Sequence, residues 1–196
     1  MKNWTDGIRV IDQFLPTEVY EQVVKYLKQP ETVTSWGFQM SIKRPETKHP
    51  STFNCHIVKK DNEFFYSTLM DYLSRCFNFE VKPLRIYFNA HVPLSHGSFH
   101  TDDGDYTALL YVPTHTDERY DINWGGETQF TNDEPYPNND TVFVSPWENR
   151  LCIFPAKVLH RGLAYLHQDH PIRFTLAFKL ERVKKSHVYN LQSKRQ

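Results

Sequence analysis

The residues best suited to chemistry lie in the run "SHGSFHTDDGDYTALLYV", where His100 and Asp102 stand two positions apart. In an extended segment, residues i and i+2 point to the same side. An imidazole and a carboxylate would then lie side by side, with Thr101 facing away. Farther along, "RLCIFPAKVLHRG" supplies a third donor, His160. Two histidines and one carboxylate on one face of a metal, with other positions open, suit non-haem Fe(II). A His-x-Asp triplet also arises by chance, so the rest of the chain must supply what such a centre needs. Other metal patterns fare worse. His96 and His100 are four apart, but Pro93 and Gly97 oppose the helix that a zinc motif of that spacing requires. The acidic run from Asp102 to Asp105 lacks the position-specific ligands of a calcium loop.

A second requirement appears in "IRFTLAFKL". As a strand, it puts Phe174, Leu176, Phe178 and Leu180 on one face and Arg173, Thr175, Ala177 and Lys179 on the other. The first face is apolar enough to bury against helices. The second would carry Arg173 and Thr175 into the interior, where an uncompensated charge is costly. A buried arginine calls for an anion, and its planar fork matches a carboxylate in bidentate fashion. A dicarboxylate whose other end chelates iron would meet that demand.

The elements that must position these residues can be read in outline. The chain opens with an apolar strand candidate, "GIRVIDQFL". Pro16 suits the first turn of a helix, and Val19, Val23, Val24 and Leu27 recur at helical spacing. Residues 30–60 carry Pro30, Pro45 and Pro50 and suggest irregular structure around short strands such as "SWGFQMS". A second helix is expected at about 62–78, with Phe64, Phe65, Leu69, Tyr72, Leu73 and Cys76 as its apolar stripe. From residue 82 the chain changes character. "PLRIYFNA", "YTALLYVP", "GETQF", "TVFVS", "RLCIFP" and "IRFTLAFKLERV" are short, β-branched and aromatic, with Pro, Gly, Asn and Asp between them. The fold class expected is mainly β, an antiparallel sandwich or barrel with supporting N-terminal helices. Residues 1–196 are expected to form one domain, with 1–80 as helical support and 81–182 as the β core.

Composition narrows the partners. The 23 acidic and 23 basic residues cancel, so no global field favours nucleic acid or an acidic membrane. No apolar run approaches the roughly 20 residues that span a bilayer, and "MKNWTDGIRV" lacks the pattern of a signal peptide. Cys55, Cys76 and Cys152 are odd in number and far apart, which argues against a disulfide framework. A cytoplasmic setting is expected.

Taken in order, "HTD", "LLYVP", "WGGETQF", "ENRLCIFP", "HRG" and "RFT" resemble the Fe(II)- and 2-oxoglutarate-dependent oxygenases, in their prolyl 4-hydroxylase-like branch. The resemblance runs from "IRVIDQFLPTEVYEQVV" to residue 180. It implies a double-stranded β-helix, or jelly roll, with the metal at one mouth. Carried onto this chain, it makes His100, Asp102 and His160 the metal ligands. Arg173 would bind the distal carboxylate of 2-oxoglutarate, with Thr175 and Tyr111 beside it, Tyr87 nearby, and Thr128 of "GGET" facing the pocket. The implied reaction is hydroxylation of a C–H bond with O2, releasing succinate and CO2, with ascorbate as a possible supporting reductant. An aspartate at 102 implies hydroxylation, because halogenating relatives lack that carboxylate. Two features differ from the prolyl branch: the connection from His160 to Arg173 is longer than in several relatives, and an arginine stands where lysine is common. The substrate expected is a prolyl or other residue of a protein or peptide. The alternatives are a free amino acid or small metabolite, or alkylated nucleic acid. A cupin-like binding module without turnover is the non-enzymatic alternative. The segments 114–124 and 131–141 are expected to act as substrate loops, with Tyr120, Trp124 and Tyr136 as aromatic surfaces.

Overall fold

The computed structural model describes residues 4–30, 32, 36–39, 52–112, 119–132, 134 and 138–183. A 3-10 turn at Trp4–Gly7 leads into β1 (Arg9–Ile11) and helix α1 (Thr17–Leu27). Pro16 caps α1 from one residue outside it, where its missing N–H costs nothing because first-turn amides have no intrahelical partner. The helix expected at 62–78 is present but shorter. It is π-type over Phe64–Leu69 and continues as α2 (Met70–Ser74). Beyond it, Cys76 and Phe77 donate three residues back, to the carbonyls of Leu73 and Ser74. That tightening brings Phe77 against Phe79 and Tyr106.

The remaining strands are β2 (Gly37–Gln39), β3 (Thr52–Ile57), β4 (Val81–His91), β5 (Tyr106–Val112), β6 (Thr128–Thr131), β7 (Thr141–Val144), β8 (Leu151–Pro155), β9 (Leu159–Gly162) and β10 (Arg173–Arg182). They form two antiparallel sheets. The larger has the order β1-β8-β5-β10-β4-β3-β2, and the smaller β7-β6-β9. Three strands of the larger sheet therefore come from the N-terminal stretch read as helical support. Strand β9, which carries His160, was not among the strands expected.

Strand β10 is buried along almost its whole length, because both of its faces are covered. Phe174, Leu176, Phe178 and Leu180 pack with Val23 and Leu27 of α1 and with Phe65, Leu69 and Leu73 of the second helical segment. Ala177 faces the other way, into a cluster with Leu109, Tyr111, Phe130, Val144, Cys152 and Phe154 from both sheets. The face assignment expected for "IRFTLAFKL" is the one observed. Burial on both faces also explains why "YTALLYV" and "LCIF" are apolar runs without polar alternation. At Lys179–Leu180 the register with β4 shifts, so that Lys179 pairs with Arg85 and Leu180 with Pro83. A proline cannot donate to the ladder, and an irregularity is where it is tolerated. Two antiparallel sheets with few helices make the jelly-roll core expected of the chain. No helix among the described residues is long and apolar enough to cross a membrane.

Candidate active site

Two paired backbone hydrogen bonds build the candidate ligand cluster. His100 N–H donates to the His160 carbonyl at 2.9 Å, and His160 N–H returns to that of His100 at 3.0 Å. His100 thus joins the smaller sheet through a single bridge, not through a continuous strand. Asp102 is pinned by its own N–H to the Ala156 carbonyl at 2.7 Å. One ligand atom from each of His100, Asp102 and His160 lies within 4.8 Å of the others. The structure therefore brings together the three side chains singled out from the sequence.

Both imidazoles are oriented alike. Nδ1 of His100 meets the Ser98 carbonyl and Nδ1 of His160 the Val158 carbonyl, each at 2.8 Å. A carbonyl can only accept, so Nδ1 carries the proton and Nε2 keeps its lone pair for a metal. The two Nε2 atoms face Asp102, at 3.7 Å from Oδ1 for His100 and 3.2 Å from Oδ2 for His160. Burial and the neighbouring His160 lower the His100 pKa, which favours the neutral, ligating form. Burial alone would raise the Asp102 pKa, but the Lys179 ammonium against Oδ2 holds it below the usual carboxylate range. Two imidazole nitrogens and one carboxylate oxygen match the donor chemistry of Fe(II).

Arg173 is the largest fully buried side chain, 2 % exposed. Its Nη2 donates to Thr128 Oγ1 at 3.0 Å, and the Thr128 and Tyr111 hydroxyls share a bond of 2.6 Å. The guanidinium lies over the Tyr111 ring, 5.4 Å from its centroid. Among the described residues its Nε has no partner, and no carboxylate forms a salt bridge with it. A buried arginine with an idle donor is a seat for an anion. Thr175 is buried on the same face.

Glycines clear this space. A Cβ on Gly162 would lie 2.9 Å from His91 Nε2 and 3.3 Å from Arg173 Nη1. Gly126 has φ +84°, and a Cβ there would come within 2.5 Å of the Tyr165 ring. The "GGET" turn therefore lets the Tyr165 ring pack against the backbone beside Arg173. Tyr120 and Trp124 pack on Tyr165, and Trp147 packs on Tyr120.

The other residues singled out take varied positions. Tyr87 pairs in register with Ala177, and its ring lies beneath both Arg85 and Lys179, toward the Asp102 end of β10. Tyr120 is buried, with its hydroxyl donating to the Gly125 carbonyl, so it is packing and not an exposed substrate surface. Trp124 is half-buried, and Tyr136 lies outside the described residues. Sequence reasoning passed over His91, Thr107 and Lys179. His91 is buried beside the pocket, its pKa pushed down to about 3 by burial and the Arg173 charge. Lys179 and Thr107 both reach Asp102 Oδ2. The alternation of "IRFTLAFKL" puts Lys179 on the inward face, and an inward lysine needs an anion as much as an inward arginine does.

No protein-family model matches the chain, and no curated protein matches it. Solved structures do. A prolyl-4-hydroxylase from Pseudomonas putida superposes with a TM-score of 0.62 at 14% identity, covering 91% of this chain and 94% of that one. A prolyl hydroxylase from Trichoplax adhaerens, in complex with a hypoxia inducible factor oxygen degradation domain peptide fragment, gives 0.65 at 16%, covering 91% and 84%. A viral collagen prolyl hydroxylase from Paramecium Bursaria Chlorella virus-1, in complex with 2-oxoglutarate, gives 0.57 at 13%, covering 93% and 98%. The chain therefore has the fold of the 2-oxoglutarate/Fe(II) oxygenases, in its prolyl 4-hydroxylase-like form.

Proposed function

We propose that the protein is an Fe(II)- and 2-oxoglutarate-dependent dioxygenase that hydroxylates a C–H bond in a peptide or protein, with proline as the first residue to test. The observation that carries this reading is Arg173, a buried guanidinium with an idle Nε on the same interior face as the residues holding Asp102. His100, Asp102 and His160 would hold the iron, and Arg173 with Thr128 the distal carboxylate of the cosubstrate. Iron, 2-oxoglutarate and O2 together supply the oxidation of the C–H bond, with succinate and CO2 as coproducts. The chain's own part is to hold two imidazoles in the ligating tautomer, to keep Asp102 ionised, and to keep water from the arginine end behind Tyr165. Thr175 and Tyr111 line that end, and Tyr87 lines the approach to Asp102. Ascorbate is proposed only as a reductant that restores Fe(II).

A peptide is preferred to a small metabolite because the site is open on one side. The His100 side chain is 51% exposed, against 5% for His160, which leaves room for an extended chain to pass. The peptide complex of the Trichoplax relative supports the same choice. A reducing compartment such as the cytoplasm suits Fe(II) and the free thiols of Cys76 and Cys152.

The test begins without oxygen. Addition of Fe(II) and 2-oxoglutarate should produce a visible metal-to-ligand charge-transfer band. Admission of air should then yield succinate, and a pool of proline-containing peptides should contain members heavier by one oxygen. No band and no succinate would sink the whole reading. Succinate with oxygen gained only by free amino acids would move the substrate to the small-molecule class.

A further inference from the structure

Lys179 is 3% exposed at the inner face of β10. Its ammonium contacts Asp102 Oδ2 and lies 3.2 Å from Thr107 Oγ1, whose hydroxyl donates to the same Oδ2 at 2.6 Å. Lys157 reaches the same residue from another side, donating from Nζ to the Asp102 carbonyl at 2.9 Å. The register of β10 explains the convergence, since Lys179 is paired directly with Thr107 of β5. A carboxylate oxygen has two lone pairs in its plane, and two donors occupy those of Oδ2. His160 Nε2 also lies 3.2 Å from Oδ2, but with the His160 proton on Nδ1 it does not donate there. Oδ1, 3.7 Å from His100 Nε2, carries neither of the two donors and is the oxygen left for a metal.

We propose that Lys179 is a positioning residue for the metal centre: with Thr107 it ties up one oxygen of Asp102, so that the carboxylate binds metal through the other oxygen alone. This rests on the dioxygenase reading of the site. Two consequences have the same sign. A tethered Oδ2 cannot swing round to chelate, so a position that bidentate aspartate would take stays open for the cosubstrate. The ammonium also shares the carboxylate's charge and repels a divalent cation, which holds metal affinity below what the three ligands alone would provide. Lys179 therefore exchanges some metal affinity for an open coordination site.

The signature is a split that loss of structure cannot imitate. Manganese(II) binding, followed by electron paramagnetic resonance of the free ion, should tighten about tenfold in Lys179→Met, because a cation is gone and Oδ2 is freer. In the manganese-loaded protein, 2-oxoglutarate binding measured by calorimetry should weaken about tenfold in the same variant. Lys179→Arg, which keeps a charged donor, should stay near the parent in both. Lys179→Gln provides a second uncharged variant if the methionine form does not fold. Weaker or unchanged metal binding in the uncharged variants would overturn the proposal, as would parallel loss of both affinities. A parent protein whose manganese binding survives His160→Ala would instead refute the ligand assignment on which the proposal rests.

Discussion

At the scale of single residues, the three proposed ligands are not interchangeable. His100→Ala and His160→Ala should both abolish the charge-transfer band and turnover. His100→Ala should melt close to the parent, because its ring is half exposed. His160→Ala also removes a buried ring packed on Phe154 and Phe130 and should melt lower. Asp102→Ala should lose activity and stability together. It strands the Lys179 ammonium in the interior, and leaving a buried charge without its partner costs about 3–5 kcal/mol. Equal melting temperatures for Asp102→Ala and His100→Ala would show that the Lys179 contact carries little energy. Arg173→Ala should raise the KM for 2-oxoglutarate about a hundredfold or more and leave manganese binding unchanged. Tyr111→Phe, which removes the hydroxyl bonded to Thr128, should cost about 1 kcal/mol. Comparable losses of metal and cosubstrate affinity in Arg173→Ala would mean that the substitution had damaged the fold.

At the scale of elements, strand β9 shows what the glycines contribute. Gly162→Ala would push a methyl between His91 and Arg173, and overpacking of that kind costs roughly 1–3 kcal/mol. The cosubstrate should bind about tenfold more weakly, with manganese affinity preserved. If both are unchanged, the close approach at Gly162 is not part of the pocket. The same strand marks where the sequence was hard to read. "IRFTLAFKL" announced both of its faces because its eight consecutive strand residues gave the period-two pattern room to repeat. "LHRG" has four residues, a glycine among them, and pairs with β6 from a distance in sequence, so its pattern has no second period. His160 was legible through its neighbours in the ordered set of motifs, not through its own strand. Thr128 and Lys179 were less legible for another reason. Their roles depend on what lies across the sheet from them, and one strand's alternation says which face a residue takes but not what waits there.

At the scale of the whole molecule, Val23 and Phe65 share one core with Leu176 and Phe178. The stretch read as support and the stretch read as β core therefore bury their apolar surface against each other. Tryptophan fluorescence and far-ultraviolet circular dichroism should trace coincident urea transitions, as expected for one domain. An early separate loss of helix would divide the chain in two. The position of β10 carries a further consequence. It lies between β5 and β4 in the middle of the larger sheet, yet both neighbours are synthesised long before it. During translation, those two strands each emerge with an edge that has nothing to bind, the condition that invites pairing with other chains. Assembly of the sheet is thus deferred until residues 173–182 leave the ribosome. Ribosome-stalled chains should be protease-sensitive when arrested just short of that point and resistant soon after it, with no gradual gain between.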